Sequence, residues 1–205
     1  MIPVAVFHDD PIEKAIERQD QAWTDQEENI FLSDHPAVIT MGWDTGDNEV
    51  LGDAIPAIGV DRGGAVTLHA PGQIAAYVII DLNKRGIAPG ELSSILSLAA
   101  QRMLTEAGIY TDFDRDNPGL YTRDHAKISS VGVRCAQRFS SWGISVNVDN
   151  DLSLYQWIVP CGNQQQKMTN MREQGSDWSW QQAAETLGQH LQRVFEGPII
   201  WRSET

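Results

Sequence analysis

Cysteine is scarce in this chain: 205 residues hold two, Cys135 and Cys161. Two thiols build no disulfide framework, and a reducing cytoplasm is the setting that suits them. Long apolar runs are absent too. No stretch approaches the ~20 residues of a membrane span. The opening MIPVAVFHDDPIEK has neither the basic start nor the apolar run of a signal peptide. Positive charge is short, with 15 Lys and Arg against 28 Asp and Glu, a net charge of −13. Nucleic-acid phosphates and anionic membrane surfaces would therefore meet a field of their own sign. The five histidines (His8, His35, His69, His125 and His190) are scattered with no metal-ligand spacing, so no metal is expected. Neither a GxxxxGK[ST] phosphate loop nor a GxGxxG dinucleotide pattern occurs.

What is present reads as ordinary globular sequence, 41% hydrophobic and 21% charged. The length suits one core, and no repeat or linker divides residues 1–205, so one domain is expected. Apolar residues at helical spacing predict helices over Ile12–Asp25, Leu92–Ala107 and Trp180–Phe195. Gly108 is a stop signal for the second, and Ser179 with Gln182 resembles a capping box opening the third. Strands are expected at Ile30–Leu32, Ala37–Met41, Ala65–His69, Ala75–Leu82, Ile128–Cys135, Gly143–Val148 and Pro198–Trp201. The apolar run Tyr77–Ile80 predicts a strand covered on both faces, and Val131, Val133 and Cys135 alternate as one buried face. Strands and helices come in blocks, so the expected class is α+β, a mixed and mainly antiparallel sheet backed by helices.

Three stretches hold residue types that do chemistry. In the first, Arg62, Gly63 and Gly64 precede a short strand ending in His69 and the turn Pro71-Gly72-Gln73. The glycines let backbone approach a ligand, Arg62 suits a carbonyl or phosphate, and His69 suits a hydrogen bond from the strand end. The same residues also fit a plain hairpin. In the second, Asn117-Pro118-Gly119 is a turn signal, and Lys127 opens the strand that continues through Ser130, Val131 and Gly132. A functional lysine there needs partial desolvation; otherwise it is a surface lysine. The third is IVPCGN. Pro160 and Gly162 place Cys161 on a turn or loop rather than in a packed element, where solvent reaches the thiol. Cys135 reads as packing. A thiol becomes nucleophilic near a cation, so a Cys with a Lys or His partner is an acyl-transfer pair.

Together these stretches resemble the octanoyltransferases of lipoate biosynthesis, the lipoate-protein ligase B type. The residues that carry the resemblance are RGGAVTLHAPGQ (Arg62 to Gln73), DNPGLY (Asp116 to Tyr121), KISSVGVR (Lys127 to Arg134) and IVPCG (Ile158 to Gly162). HPAVITMG (His35 to Gly42), NVDNDL (Asn147 to Leu152) and KMTNM (Lys167 to Met171) add to it. The motifs keep their order over roughly positions 30 to 175.

The resemblance implies the catalytic-domain fold of lipoate and biotin protein ligases. It implies ping-pong transfer of octanoyl from acyl carrier protein to a lysine of lipoyl domains. The acceptors are the E2 subunits of 2-oxoacid dehydrogenases and the glycine cleavage H protein. No cofactor enters, neither ATP nor metal, and the protein acts as a monomer. Cys161 is the implied nucleophile, Lys127 its acid/base partner, and His69 lines the site. Arg62, Gly63, Gly64, Gly72, Gln73, Ser130, Val131, Gly132, Trp142, Gly143 and Ile144 are the implied substrate-binding residues. Leu68 and the strand Ala75–Leu82 are expected to contribute to the acyl pocket. Arg62, Arg123, Arg134 and Arg138 are expected to form a positive docking patch, unless each makes an ordinary surface pair.

The chain departs from the family pattern at two places. Thr67-Leu68-His69-Ala70 stands where TYHG is usual, and Trp142-Gly143 where HG is usual. The rival readings are an ATP-dependent lipoate ligase of the same fold, a degenerate relative that binds lipoyl domains or acyl carrier protein without turnover, and a thiol hydrolase or redox protein using Cys161.

Overall fold

The structure, a computed structural model, describes residues 1–160 and 165–196. The expected strand Pro198–Trp201 and the turn around Cys161 lie outside the described residues.

Among the described residues, ten strands form two sheets. The larger combines β1 (Val4–Phe7), β2 (Asn29–Ser33), β6 (Gln73–Ile79), β10 (Phe139–Asn147), β9 (Lys127–Ala136), β8 (Gly119–Thr122) and β7 (Thr111–Asp114), in that spatial order. β1 and β2 run parallel; the remaining neighbours are antiparallel. The smaller sheet sets β3 (Val38–Met41) between β4 (Ala57–Gly59) and β5 (Val66–His69). With the helices this is the expected mixed α+β architecture.

The main core lies on one face of the large sheet, under α3 (Leu92–Glu106) and α4 (Trp180–Glu196). Leu92, Ile95, Leu96, Ala99, Met103 and Leu104 of α3 are fully buried, which is the stripe the spacing predicts. The chain leaves α3 through Gly108 at φ +81°, a left-handed conformation that costs glycine little. Ser179 Oγ accepts the Gln182 N–H at 3.2 Å, which supplies one half of the expected capping box. On the opposite face α1 (Ile12–Asp25) packs Ile12, Ala15 and Ala22 against Ala75, Tyr77, Ile79 and Phe139.

β6 and β10 are the two central strands, and every residue of both is buried. They approach each other at Gly143. A Cβ there would collide with the carbonyl oxygen of Ala76 on β6. Gly143→Ala is therefore expected to cost about 3 kcal/mol of stability, read as a lower urea midpoint at unchanged slope.

The expected strand Ala75–Leu82 is corrected at both ends. It begins at Gln73 and stops at Ile79, because Asp81 caps a short helix, α2 (Leu82–Arg85). The Asp81 side chain accepts the Lys84 N–H at 3.1 Å, so a capping carboxylate ends the strand where hydrophobicity alone would extend it. β10 starts four residues earlier than expected, at Phe139.

Candidate functional site

The Arg62–Gly64 loop lies across β9, where the Gly63 N–H donates to Val133 O at 3.0 Å. Gly64 holds φ +83°, and its carbonyl packs so tightly on Gly42 that a side chain at 42 would collide with it. The Arg62 guanidinium is buried. It donates to Thr40 O and Oγ1 at 2.9 Å and to the carbonyls of Gly63 and Ala65 at 3.0 Å. These four acceptors belong to the protein itself. The glycine turn exposes carbonyls, and the adjacent fork of donors satisfies them.

The expected docking patch is not what the arginines form. Arg62 is inside, Arg134 pairs with Asp61 at 2.9 Å, Arg138 pairs with Asp81 at 3.3 Å, and Arg123 lies over the Tyr110 ring. Each answers to its own local partner.

His69, at the end of β5, is buried and oriented by Gln73. The Gln73 amide nitrogen donates to Leu68 O at 3.1 Å and to Asn147 Oδ1 at 2.9 Å. A carbonyl only accepts, so Gln73 Oε1 must face His69 Nδ1, at 2.9 Å. Nδ1 therefore carries the proton and donates to Gln73, and Nε2 is left as an acceptor facing Thr40 Oγ1 at 3.4 Å. Burial, joined by the neighbouring His35 ring and the Arg62 charge, pulls the His69 pKa down to about 3. The ring is neutral at physiological pH, and Nε2 is an acceptor rather than a donor.

His35 stands edge-on to His69, with centroids 5.7 Å apart. Its Nδ1 donates to Asp10 O, and its Nε2 accepts from the Tyr77 hydroxyl at 2.6 Å. Burial lowers the His35 pKa and raises that of Tyr77.

These buried neutral histidines make stability depend on acid. The unfolded chain protonates His69 near pH 6.5, whereas the folded protein does so only near 3. Unfolding therefore takes up protons between those values, so stability is intact above pH 6.5 and declines as pH falls through that window. For His69 the loss at pH 5 is about 2 kcal/mol. Melting temperatures between pH 7 and pH 5 should fall more steeply for the wild type than for His69→Gln; parallel slopes would refute this.

Lys127 opens β9 and is 1% exposed. Its backbone pairs with the chain around Met168, through Lys167 O at 2.8 Å and the Thr169 N–H at 3.0 Å. Its Nζ donates to Asn117 Oδ1 at 2.7 Å and sits 5.3 Å from the Tyr121 ring centre. Gly119 makes the room: a Cβ there would lie 2.7 Å from Lys127 Cε and collide with Ser129 O. The turn Asn117-Pro118-Gly119 thus does two jobs for one lysine, holding its ammonium and leaving space for its stem. The turn was legible in the sequence; the Asn117–Lys127 contact was not.

Arg62, His69 and Lys127 border one cavity of about 520 Å³. Arg62, Gly63, Gly64 and His69 line one side, Lys127, Ser130, Val131 and Gly132 line it from β9, and Trp142, Gly143 and Ile144 line it from β10. Ala75, Ala76 and Tyr77 of β6 contribute as well, but Leu68 packs in a separate cluster with Ile39 and Val66. Gly72 and Gln73 stand behind the wall. Gly72, at φ +84°, takes the N–H groups of Val148 and Asp149 on its carbonyl, and Gln73 buttresses His69. Cys161 lies outside the described residues. Pro160, its predecessor in the chain, lines the cavity. Sequence reasoning missed Asp44, Glu49, Asn117 and Tyr155 among the lining residues.

The family described as lipoyl protein ligase A/B catalytic domain matches residues 12–192. An octanoyltransferase of Chromobacterium violaceum is 36% identical over 179 residues, which cover 84% of this chain and 86% of that protein. An octanoyltransferase of Pseudomonas putida is 39% identical over 168 residues, covering 80% of this chain and 77% of that one. Among solved structures, lipoate-protein ligase A bound with ATP aligns with a TM-score of 0.76 at 14% identity, over 96% of this chain and 86% of that one. A bi-partite lipoate protein ligase of Thermoplasma acidophilum, described with its E2 lipoyl domain, aligns at 0.75 and 13% identity, over 95% and 84%. The Aquifex aeolicus biotin protein ligase in complex with biotin and ATP aligns at 0.60 and 16%, over 95% and 70%. At these identities the structural likeness speaks for the fold. On the family match and the curated relatives, the chain belongs to the lipoyl protein ligase A/B catalytic-domain family, as an acyltransferase of its octanoyltransferase branch.

Proposed function

We propose that the protein moves an octanoyl group from acyl carrier protein to the lysine of a lipoyl domain, through a thioester on Cys161, with Lys127 as proton carrier. One observation carries the reading: a buried, hydrogen-bonded lysine and the residue that immediately precedes Cys161 line the same cavity.

The Cys161 thiolate, stabilised by the Lys127 ammonium, attacks the carrier thioester. The carbon–sulfur bond to the carrier breaks, and the departing thiolate takes a proton from Lys127. Thioester replaces thioester, so this step is nearly even in free energy and calls for neither ATP nor metal. The acceptor amine then attacks the acyl-cysteine, neutral Lys127 takes its proton, and the Cys161 thiolate leaves. The amide is formed and the starting ion pair is restored. Asn117 Oδ1 holds the Lys127 nitrogen in place between the two transfers.

An acyl chain of about six methylenes contributes about 5 kcal/mol if fully buried. Asp44 and Glu49 on the cavity lining, within a chain of net charge −13, favour a cationic acceptor such as a lysine side chain. The acceptors in this reading are lipoyl domains of 2-oxoacid dehydrogenase E2 subunits and the glycine cleavage H protein. One acyltransferase domain, residues 1–205, acts as a monomer in the cytoplasm.

The test is reconstituted transfer from octanoyl-carrier to a purified lipoyl domain, with ATP left out and a chelator present. Octanoylated lipoyl domain under those conditions is expected. A strict requirement for ATP with free octanoate would transfer the assignment to the ligase reading.

A further inference from the structure

Along β10, Ile144 and Val146 face the main core, level with Ala76 and Ile74 on β6. Strict alternation would send Trp142 to that same face, beside Val133, its partner in register on β9. Val133 does pack against the main core. Trp142 does not: it packs on the other face with Ala75, Tyr77, Ile79 and Phe139, edge-on to Tyr77 with centroids 5.8 Å apart. Its backbone is the cause. Trp142 has φ +62°, a left-handed conformation that a bulky residue seldom adopts, and this reverses the direction of its side chain. Buried Gln19 of α1 secures the reversal, its Oε1 accepting the Trp142 N–H at 2.7 Å.

The turned indole is 7% exposed and borders the cavity beside Gly143 and Gly132, which face each other in register and carry no side chains. Behind it, Tyr77 is fixed by its hydrogen bond to His35. The Lys127 stem reaches Gly119, which pairs with Ser130, and Val133, the residue opposite Trp142, is three positions beyond Ser130 on β9, about 10 Å along the strand. The ammonium and the indole therefore stand toward opposite ends of the cavity wall, with the side-chain-free Gly132–Gly143 pair between them.

We infer that Trp142 sets the length of acyl chain the protein accepts: the chain runs along the cavity wall away from the ammonium, and the reversed indole closes that wall. The inference rests on the acyl-cysteine reading above. A rigid ring wedged against a pinned tyrosine excludes extra methylenes rather than yielding to them. Glycine accepts φ +62° readily, so Trp142→Gly removes the stop and keeps the backbone that presents it.

The experiment is competitive loading from acyl carrier proteins bearing C6, C8, C10 and C12 chains, read by intact mass, with thermal melting as the check on folding. The wild type is expected to load octanoyl and discriminate against C10 and C12. Each methylene that gains burial is worth about fourfold, so Trp142→Gly should raise the C12 to C8 ratio tenfold or more. Trp142→Phe should fall between the two, and it carries the test if the glycine variant melts early. An unchanged order of preference in the variants overturns the inference. Calorimetric binding of free octanoic and dodecanoic acids, which needs no thiol chemistry, separates the two claims. If octanoyl loads nothing on the wild type, the acyl-cysteine reading fails. The Trp142 inference then stands only if the free acids show the same shift between wild type and variant, and it falls if they do not.

Discussion

Cys161→Ala protein should form no octanoyl adduct and transfer no octanoyl to a lipoyl domain, a fall of about 10⁴-fold or more in turnover. The size of this effect follows from the scheme: without the sulfur there is no covalent intermediate, and carrier and acceptor would have to react directly. The other thiol does not substitute. Cys135 is half-buried against the main core, and burial pushes its pKa up, so its thiolate is scarce at neutral pH. Cys135→Ala should accordingly load octanoyl at the wild-type rate. Loading lost in Cys135→Ala but kept in Cys161→Ala would exchange the two assignments.

Lys127→Ala should slow transfer by about 10²–10⁴-fold, the span ordinarily supplied by a positioned proton carrier. Two neighbours make the effect specific. Asn117→Ala removes the acceptor 2.7 Å from the Lys127 nitrogen but leaves the amine, so a smaller loss, about tenfold, is expected. Lys127→Met keeps the buried stem's volume without the amine, and its rate should match that of Lys127→Ala. Rapid-quench measurement of both half-reactions provides the check. A Lys127→Met protein that transfers at the wild-type rate would remove Lys127 from the mechanism.

The helices were legible because each is an amphipathic stripe, and two of them carry a local end signal, Gly108 after α3 and Ser179 before α4. The bounds of α1 coincide with the spacing-based reading, and those of α3 and α4 agree to within one residue. The short strands were harder. VAVF of β1 is four residues long and gains its identity from a parallel partner, β2, about 26 residues away. TDFD of β7 and AIG of β4, four and three residues long, are too short for their alternation to stand out, and pairing makes them strands.

At the site, residue types pointed to the right stretches, but their partners did not show. Gln73 orients His69 from within the same motif, yet what fixes Gln73 is Asn147, 74 positions away. Arg62 looked suited to a ligand carbonyl or phosphate; the carbonyls bared by its own glycine turn meet it first. Trp142 stood just before the expected strand Gly143–Val148; β10 takes it in, and its positive φ defeats the alternation the strand would impose.

The central claim is an octanoyl thioester on the sulfur of Cys161. Intact mass of the purified protein after mixing with octanoyl-acyl carrier protein, followed by hydroxylamine treatment and peptide mapping, reads it directly. The account predicts one octanoyl mass per chain, removed by hydroxylamine and located on the peptide that contains Cys161. Transfer to a lipoyl domain with no such adduct, or with an adduct that resists hydroxylamine, would contradict it.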